Sequence, residues 1–269
     1  SVSHLYDEAA AVEEVELEVD DFVGGGGPPA WGPHVLSVIV PFRGALGAAA
    51  GDGSTSPPVP ALTASETSHS GGAPGGHARF NRAALINAGF LLSPEHSDYV
   101  AMHDVDLLPL NAALNYGFPA QGPFHVASPQ LHPPLPLPHV RGGHSHHHEG
   151  ALPQVQWAVQ SVLGMGREDD EFYKRMMEAG LQVFRPEGLS SSRENTFRHL
   201  HDPKEHKRDQ RRVGDQKKAQ FSRDRDTGVS SLRFTLESRR SLRVDGAPCT
   251  FLGVSLHCDP DITPWCLTP

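Results

Sequence analysis

The chain has few cysteines and lacks any long apolar segment. No apolar run among its 269 residues reaches 18, and no signal-peptide pattern is visible, so we expect no membrane span within it. Its three cysteines, Cys249, Cys258 and Cys266, lie near the end of the chain, and an odd number says little about the redox compartment. Cys258 and Cys266 bracket a proline-containing loop, so they could close a small disulfide if the protein is secretory.

Large apolar side chains are scarce in two internal segments. Residues 44–79 consist mainly of Gly, Ala, Ser, Thr and Pro, and cannot bury enough surface to offset the entropy of ordering. Residues from about 131 to 153 are proline-rich and then carry a histidine cluster among Gly and Ser, which favours low complexity over a metal site. The 27 glycines and 24 prolines of the chain therefore indicate disordered inserts in an otherwise folded protein.

Charge is distributed unevenly along the chain, whose net charge is −9. Residues 1–33 are acidic and end in a Gly and Pro run, which predicts a flexible lead-in. Residues 204–243 are rich in Lys and Arg, so they could meet phosphates or an acidic acceptor, although a solvated helix face is the commoner outcome. A hydrophobic fraction of 38% permits a sizeable core, and we expect one domain over residues 34–269.

The stretch Tyr99–Asn111 begins as an apolar run and continues into Asp104-Val105-Asp106. The run predicts a buried strand, and carboxylates at its carboxyl end would lie in the crevice where open α/β sheets bind ligands. Residues two apart in a strand share one face, so the two carboxylates could hold a divalent ion that bridges a nucleotide diphosphate. An ordinary strand-ending turn also uses aspartate, and the pattern alone leaves both interpretations open.

The other expected elements flank this strand. Val35–Val40 predicts a buried strand that Pro41-Phe42-Arg43 ends, and a short helix follows with Asn81 as its cap and Gly89 at its end. Residues 164–180 predict a helix with acids in its first turn and Gly180 at its close. Residues 181–186 predict a strand, 203–226 an exposed helix or loop, and about 230–236 and 249–256 two last strands.

His199 and His201 lie two apart on a predicted extended segment, so both imidazoles could face one way. Two imidazoles and one aspartate oxygen would make an open site for a borderline metal such as Mn²⁺. Two exposed histidines are commoner than two ligands, so this pattern alone is weak.

Taken together, these motifs resemble the inverting β1,4-galactosyltransferases of the secretory pathway. They are similar above all to the branch that adds galactose to xylose on proteoglycan core proteins. The matching stretches cover roughly half of the chain in family order. They begin with Val40–Arg43, and three of them are highly specific in combination: Met102–Asp106, the Gly-Arg-Glu-Asp-Asp-Glu run of residues 166–171, and His199–Asp202.

The resemblance implies a single α/β domain of the GT-A type with a mixed central sheet. It implies that Asp106, His199 and His201 hold Mn²⁺, and that Asp169 is the general base for the xylose 4-hydroxyl. Glu168 and Asp170 would bind acceptor hydroxyls or orient Asp169. The residues implied for the nucleotide and sugar pocket are Pro41, Phe42, Arg43, Arg82 and Asp104. These residues suit a single in-line displacement. That reaction needs one base for the acceptor hydroxyl and a metal ion for the departing diphosphate.

The implied partners are UDP-galactose and a xylosylated proteoglycan core protein, with no nucleic acid. The implied location is the Golgi lumen, with membrane attachment only through an anchor outside this chain.

Two segments depart from the family pattern. Between Arg43 and Phe80 the family has a helix and a strand, where this chain has the Gly, Ala, Ser, Thr and Pro segment. Between His132 and Gly166 the family's acceptor-binding tyrosines are absent, and Met165 stands where its loop has a tryptophan. The alternative to an active transferase is therefore a non-catalytic UDP- or metal-binding chain, or an unstable product of an aberrantly spliced gene.

Overall fold

The computed structural model describes part of the chain. It covers residues 6–17, 33–43, 61–66, 77–111, 113–114, 116–126, 145–148, 168–186, 196–200, 227–244, 247–261 and 266–268. The predicted exposed segment 203–226 lies outside the described residues, as do His201 and Asp202 of the matched stretch His199–Asp202.

Short strands dominate the described residues, with two helices and one 3₁₀ turn (Val229–Ser231). The helices are α1 (Arg82–Leu91) and α2 (Glu168–Glu178). The strands are β1 (Tyr6–Leu17), β2 (Leu36–Arg43), β3 (Ala61–Glu66), β4 (His77–Ala78), β5 (Tyr99–Met102), β6 (Leu107–Pro109), β7 (Phe124–His125), β8 (Ser145–His148), β9 (Phe197–His199), β10 (Phe234–Val244), β11 (Ala247–Leu256) and β12 (Leu267–Thr268).

The main sheet has eight strands in the order β1-β10-β11-β3-β2-β5-β8-β7. Its centre is parallel, since β11 pairs with β3, β3 with β2 and β2 with β5 in the same direction. Antiparallel pairs extend it through β10 on one side and β8 and β7 on the other, which makes the sheet mixed, as predicted. Two small ladders, β6–β9 and β4–β12, lie outside it.

Helix α1 packs on the sheet with almost all of its surface buried, because its sequence is apolar and small on every side. Leu85 lies in one core cluster with Phe234 and Leu252 of the β10–β11 hairpin. Ile86 lies in another with Ile39 of β2, the apolar residues of β5 and the inner face of α2. Helix α1 therefore joins the two halves of the core, and its first residue is held firmly against the sheet.

The glycine and cap signals of α1 had different outcomes. Asn81 caps the helix as predicted, because its Oδ1 accepts from the Ala84 N–H at 3.0 Å. The prediction that Gly89 ends the helix is wrong, since α1 continues to Leu91. Gly89 instead allows a close approach to β2, where a Cβ atom would lie 2.6 Å from Ile39 Cγ2. Gly180 does end α2, with a φ of 72°.

Three segments predicted to be flexible or disordered contain strands among the described residues. The acidic lead-in forms β1, the segment 44–79 contributes β3 and β4, and the histidine-rich segment contributes β8. Composition alone could not show this, because the neighbouring strands provide the hydrogen-bond partners. Strand β1, for example, pairs in parallel with β10.

Other element bounds differ from expectation by a few residues. The strand predicted over residues 35–40 extends through Pro41 to Arg43, and the strand predicted near 230–236 is β10. Residues 181–186 form only one isolated bridge, between Phe124 and Phe184. Cys258 and Cys266 form the disulfide that their spacing allowed. Among the residues that the structure describes, no helix has the length and apolar composition needed to cross a bilayer.

Candidate active site

The carboxyl ends of β2 and β5 form the edge at which the predicted site residues gather. The two strands are parallel neighbours, and the His103 N–H extends their pairing by donating to the Ile39 carbonyl at 2.9 Å. Pro41, Phe42 and Arg43 end β2 at this edge. Crevices at such strand ends are where α/β sheets bind ligands, so the topology brings the predicted donor-side residues together.

The last residues of β2 differ in their environments. Phe42 is buried and packs edge-on against Phe251, with ring centroids 6.1 Å apart. Arg43 is exposed, and its guanidinium carbon lies 5.6 Å from the centroid of the Phe80 ring, a cation–π contact. Phe42 therefore serves as a wall, whereas Arg43 presents positive charge at the rim.

An ion pair links α1 to the loop after β5. Arg82 Nε donates to Asp104 Oδ1 at 2.7 Å, and the two side chains are 17% and 25% exposed. Arg82 is the first residue of α1, next to the cap Asn81, so helix capping fixes its backbone. Partial burial reduces solvent screening of the pair, and the guanidinium is held in one direction at the site edge.

The two carboxylates after β5 do not share a strand face, because the strand ends at Met102 and a turn follows. The Leu107 N–H donates to the Asp104 carbonyl at 3.2 Å, which closes the turn. Asp104 then bonds to Arg82, while Asp106 bonds to His199. The prediction of one shared face is therefore wrong, and the two aspartates have separate partners.

Asp106 and His199 meet through the β6–β9 ladder, in which Leu107 lies opposite His199. Asp106 Oδ2 and His199 Nε2 are 2.8 Å apart, and the Leu200 N–H donates to the Asp106 carbonyl at 2.8 Å. Both side chains are partly exposed, 32% for Asp106 and 43% for His199. The pair is therefore rigid in its backbone and open to solvent.

The Asp106–His199 geometry suits a shared metal ion. Two ligands at right angles, each about 2.1 Å from an octahedral ion, lie about 3.0 Å apart, close to the separation of these two atoms. Carboxylate and imidazole are both ligands that Mn²⁺ accepts. The third predicted ligand, His201, lies outside the described residues, and within them no group of three such side chains is found. The residues present fit the metal as two of its ligands.

The predicted acceptor side begins α2. The structure describes the backbone of Glu168, Asp169 and Asp170 in the first turn but not their side chains. The helix is anchored by Phe172 and Met176, which pack in the same core cluster as β2 and β5. The helix that carries these acids is thus docked on the strands that end at the site, and their roles stay predictions.

His103 is a site residue that the sequence patterns missed. Its ring Nδ1 lies 2.9 Å from the Asp104 carbonyl, and burial is the main cause of a lowered pKa for its imidazole. The nearby Tyr116 is also buried, which raises the pKa of its phenol. In the sequence, the only indication of a role for His103 was its position next to Asp104. That position does not show what the imidazole ring contacts.

Comparisons with known proteins agree with this geometry. Residues 122–201 match the family described as the N-terminal domain of galactosyltransferase. Mouse β1,4-galactosyltransferase 7 is 52% identical over 191 residues, which are 71% of this chain and 58% of that protein. The solved catalytic domain of Drosophila β1,4-galactosyltransferase 7, in complex with xylobiose, superposes with a TM-score of 0.75 at 33% identity, covering 87% of this chain and 98% of that one.

The chain belongs to the β1,4-galactosyltransferase family. A second Drosophila structure matches this chain with the same TM-score of 0.75. It is a mutant of the same enzyme in complex with manganese, UDP-Gal and xylobiose. The family resemblance and the GT-A-type fold predicted from the sequence are therefore confirmed. This β1,4-galactosyltransferase-family chain spans 58% of the length of the mouse relative.

Proposed function

We propose that this chain transfers galactose from UDP-galactose to the 4-hydroxyl of xylose on proteoglycan core proteins, with inversion at the anomeric carbon. The observation that carries the proposal is the 2.8 Å contact of Asp106 with His199 beside the Arg82–Asp104 pair. A relative of the same fold, 33% identical, has been solved with manganese, UDP-Gal and xylobiose. A displacement of this kind needs a cation for the leaving diphosphate and a base for the acceptor.

The metal ligands in this proposal are Asp106, His199 and His201. A bound Mn²⁺ would neutralise the charge that develops on the departing diphosphate. The protein supplies the rigid part of that site, since the β6–β9 pairing fixes His199 relative to Asp106. Little rearrangement of these two side chains is then required when the ion enters.

On the donor side, Asp104 acts through Arg82. A guanidinium is planar and permanently charged, so holding its Nε against Asp104 sets the plane in which it meets an anionic or carbonyl oxygen. Arg43 adds positive charge at the end of β2, and Pro41 and Phe42 form the apolar wall beside it. This edge therefore offers both charge and shape for the nucleotide and its sugar.

On the acceptor side, Asp169 is the general base that takes the proton of the xylose 4-hydroxyl as that oxygen attacks. A carboxylate in the first turn of a helix is stabilised in its ionised form, which is the form that a general base must have before the reaction. Glu168 and Asp170 would bind acceptor hydroxyls or orient Asp169. The packing of α2 on β2 and β5 supports this placement, because it docks the helix on the strands that end at the donor site.

The proposed catalytic domain includes β1, because this strand pairs with β10 in the main sheet. It otherwise follows the expected range 34–269. We place the protein in the Golgi lumen, and the Cys258–Cys266 disulfide supports an oxidising compartment.

The test is galactose transfer from UDP-galactose to a xyloside, with and without Mn²⁺. Asp169→Asn should lower kcat by about 10²–10⁴-fold, since general base catalysis typically contributes that much. Glu178→Gln is the matched control, because it removes the same charge from an exposed position at the other end of α2. Retained turnover in Asp169→Asn would overturn the assignment of the base. Absence of transfer by a cooperatively melting chain would favour the non-catalytic alternative.

A further inference from the structure

We propose that His103 is a positioning residue, which holds the turn Asp104–Asp106 in the shape that presents one carboxylate to Arg82 and the other to the metal. This inference rests on the proposed function, in particular on Asp106 and His199 as metal ligands. It assigns a task to the histidine that precedes the two aspartates.

The hydrogen bonds of His103 converge on the turn. Its backbone N–H continues the β2–β5 pairing by donating to Ile39, so its position is set by the sheet. Its ring Nδ1 lies 2.9 Å from the Asp104 carbonyl, which also accepts from the Leu107 N–H at 3.2 Å. One carbonyl is therefore fixed from both sides, and with it the peptide plane between the two aspartates.

The ring also contacts the strand that carries the second metal ligand. Its centroid lies 6.1 Å from that of Tyr116 in a stacked arrangement and 6.3 Å from that of Phe197 in an edge-on arrangement. Phe197 is in β9, two residues before His199. Residues two apart in a strand lie on the same side of the chain. His103 thus joins the turn holding Asp106 to the strand holding His199.

The protonation state of His103 fits this task. Burial lowers the pKa of the imidazole, against the opposing effects of the Asp104 carbonyl and the two carboxylates, so the ring is neutral near pH 7. A carbonyl oxygen only accepts hydrogen bonds, so the proton of the neutral ring is assigned to Nδ1. A neutral donor can fix the turn without adding a positive charge beside a cation site.

Three substitutions separate the donor from the packing of the ring. His103→Asn places an amide N–H close to the Nδ1 position, whereas His103→Gln places it about one bond further out, near Nε2. His103→Phe keeps an aromatic ring against Tyr116 and Phe197 but has no donor. If the Nδ1 bond matters, Asn should behave like the parent chain, and Gln and Phe should not.

The experiment is a titration with Mn²⁺ alone, followed by the loss of the free-ion electron paramagnetic resonance signal, on chains whose cooperative melts have been recorded. We expect Gln and Phe to weaken Mn²⁺ binding by about 10-fold or more and Asn to stay within about 3-fold, as for residues that orient metal ligands. Equal binding by the parent and all variants would overturn the inference but leave the metal site. If the Phe variant does not fold, the comparison of Asn with Gln decides. Equal weakening or misfolding of Asn and Gln would also overturn it, and absence of Mn²⁺ binding by the parent would overturn the metal site as well.

Discussion

Gly89→Ala should destabilise the protein, although the same change in most helices does the opposite. Gly89 lies inside α1, where Ala is favoured over Gly by about 1 kcal/mol through helix propensity. Here the new Cβ would lie 2.6 Å from Ile39 Cγ2. Carbon atoms pack best at about 3.5–4.0 Å, so the two groups would overlap by about 1 Å.

Neither partner can move away at low cost. Ile39 is fully buried in a central strand and β-branched, so its χ1 is restricted. Helix α1 is packed against both core clusters through Leu85 and Ile86. Inserting a methyl group into such a contact typically costs about 1–3 kcal/mol. After the helix-propensity gain of about 1 kcal/mol, we expect the free energy of unfolding to fall by about 0–2 kcal/mol.

A double-mutant cycle isolates this contact. Ile39→Ala alone should cost about 2–5 kcal/mol through lost burial and a cavity. In that background Gly89→Ala should be neutral or stabilising, because Cγ2 is gone, and the coupling should be about 2 kcal/mol. Equilibrium urea unfolding gives each value, provided that the m-value is unchanged. A higher unfolding midpoint for Gly89→Ala in the parent chain, or a coupling below about 0.5 kcal/mol, would refute the close approach of α1 to β2.

Three further predictions test the site and its frame. An unfolded histidine has a pKa near 6.5, and burial lowers the pKa of His103 in the folded protein. The contribution of His103 to stability is therefore complete above about pH 6.5 and is lost as the pH falls below that value. Urea unfolding at pH 7 and 5 should show a smaller loss for His103→Asn than for the parent chain, and equal losses would contradict this. Arg82→Met should raise KM for UDP-galactose about tenfold or more and Arg82→Lys less, in steady-state kinetics; an unchanged KM would remove Arg82 from the donor site. Replacing Cys258 and Cys266 by Ser should lower the free energy of unfolding by about 2.5 kcal/mol, and a reductant should lower the Tm of the parent chain alone.

The elements that the sequence predicted well are those whose signals are local. Asn81 is both a good cap and the observed cap, because capping depends on a few adjacent atoms. Gly89 gave an equally strong signal that was assigned to the wrong cause, since glycine permits both a helix end and a close contact. Only the position of Ile39, on a strand 50 residues earlier, distinguishes the two.

The strands that composition did not indicate are those whose hydrogen-bond partners belong to neighbouring strands. Ala61–Glu66 has little apolar surface of its own, yet it lies between β2 and β11 and is paired with both. A strand in that position obtains its hydrogen bonds from two sides, and composition contains no record of them. The same reasoning applies to β1, whose hydrogen-bond partner is β10.

The site was predicted as a set of residue types but not as a set of contacts. Asp106 and His199 are 93 residues apart, and they meet because two three-residue strands, β6 and β9, pair in one register. The resemblance to a family named both residues, whereas the spacing of the aspartates suggested that they act as a pair. The role of His103 could not be predicted at all, because it depends on the ring orientation.

The structure gives the two aspartates different partners. Asp104 faces a permanent cation, Arg82, at 2.7 Å, so its negative charge is compensated within the protein. Asp106 faces an imidazole, a side chain that binds metal ions through its ring nitrogen. In the proposed function, the divalent ion therefore binds at Asp106 and not at Asp104, although the two aspartates are separated by one residue. The turn after β5 creates this difference, since an uninterrupted strand would have placed both carboxylates in the same environment.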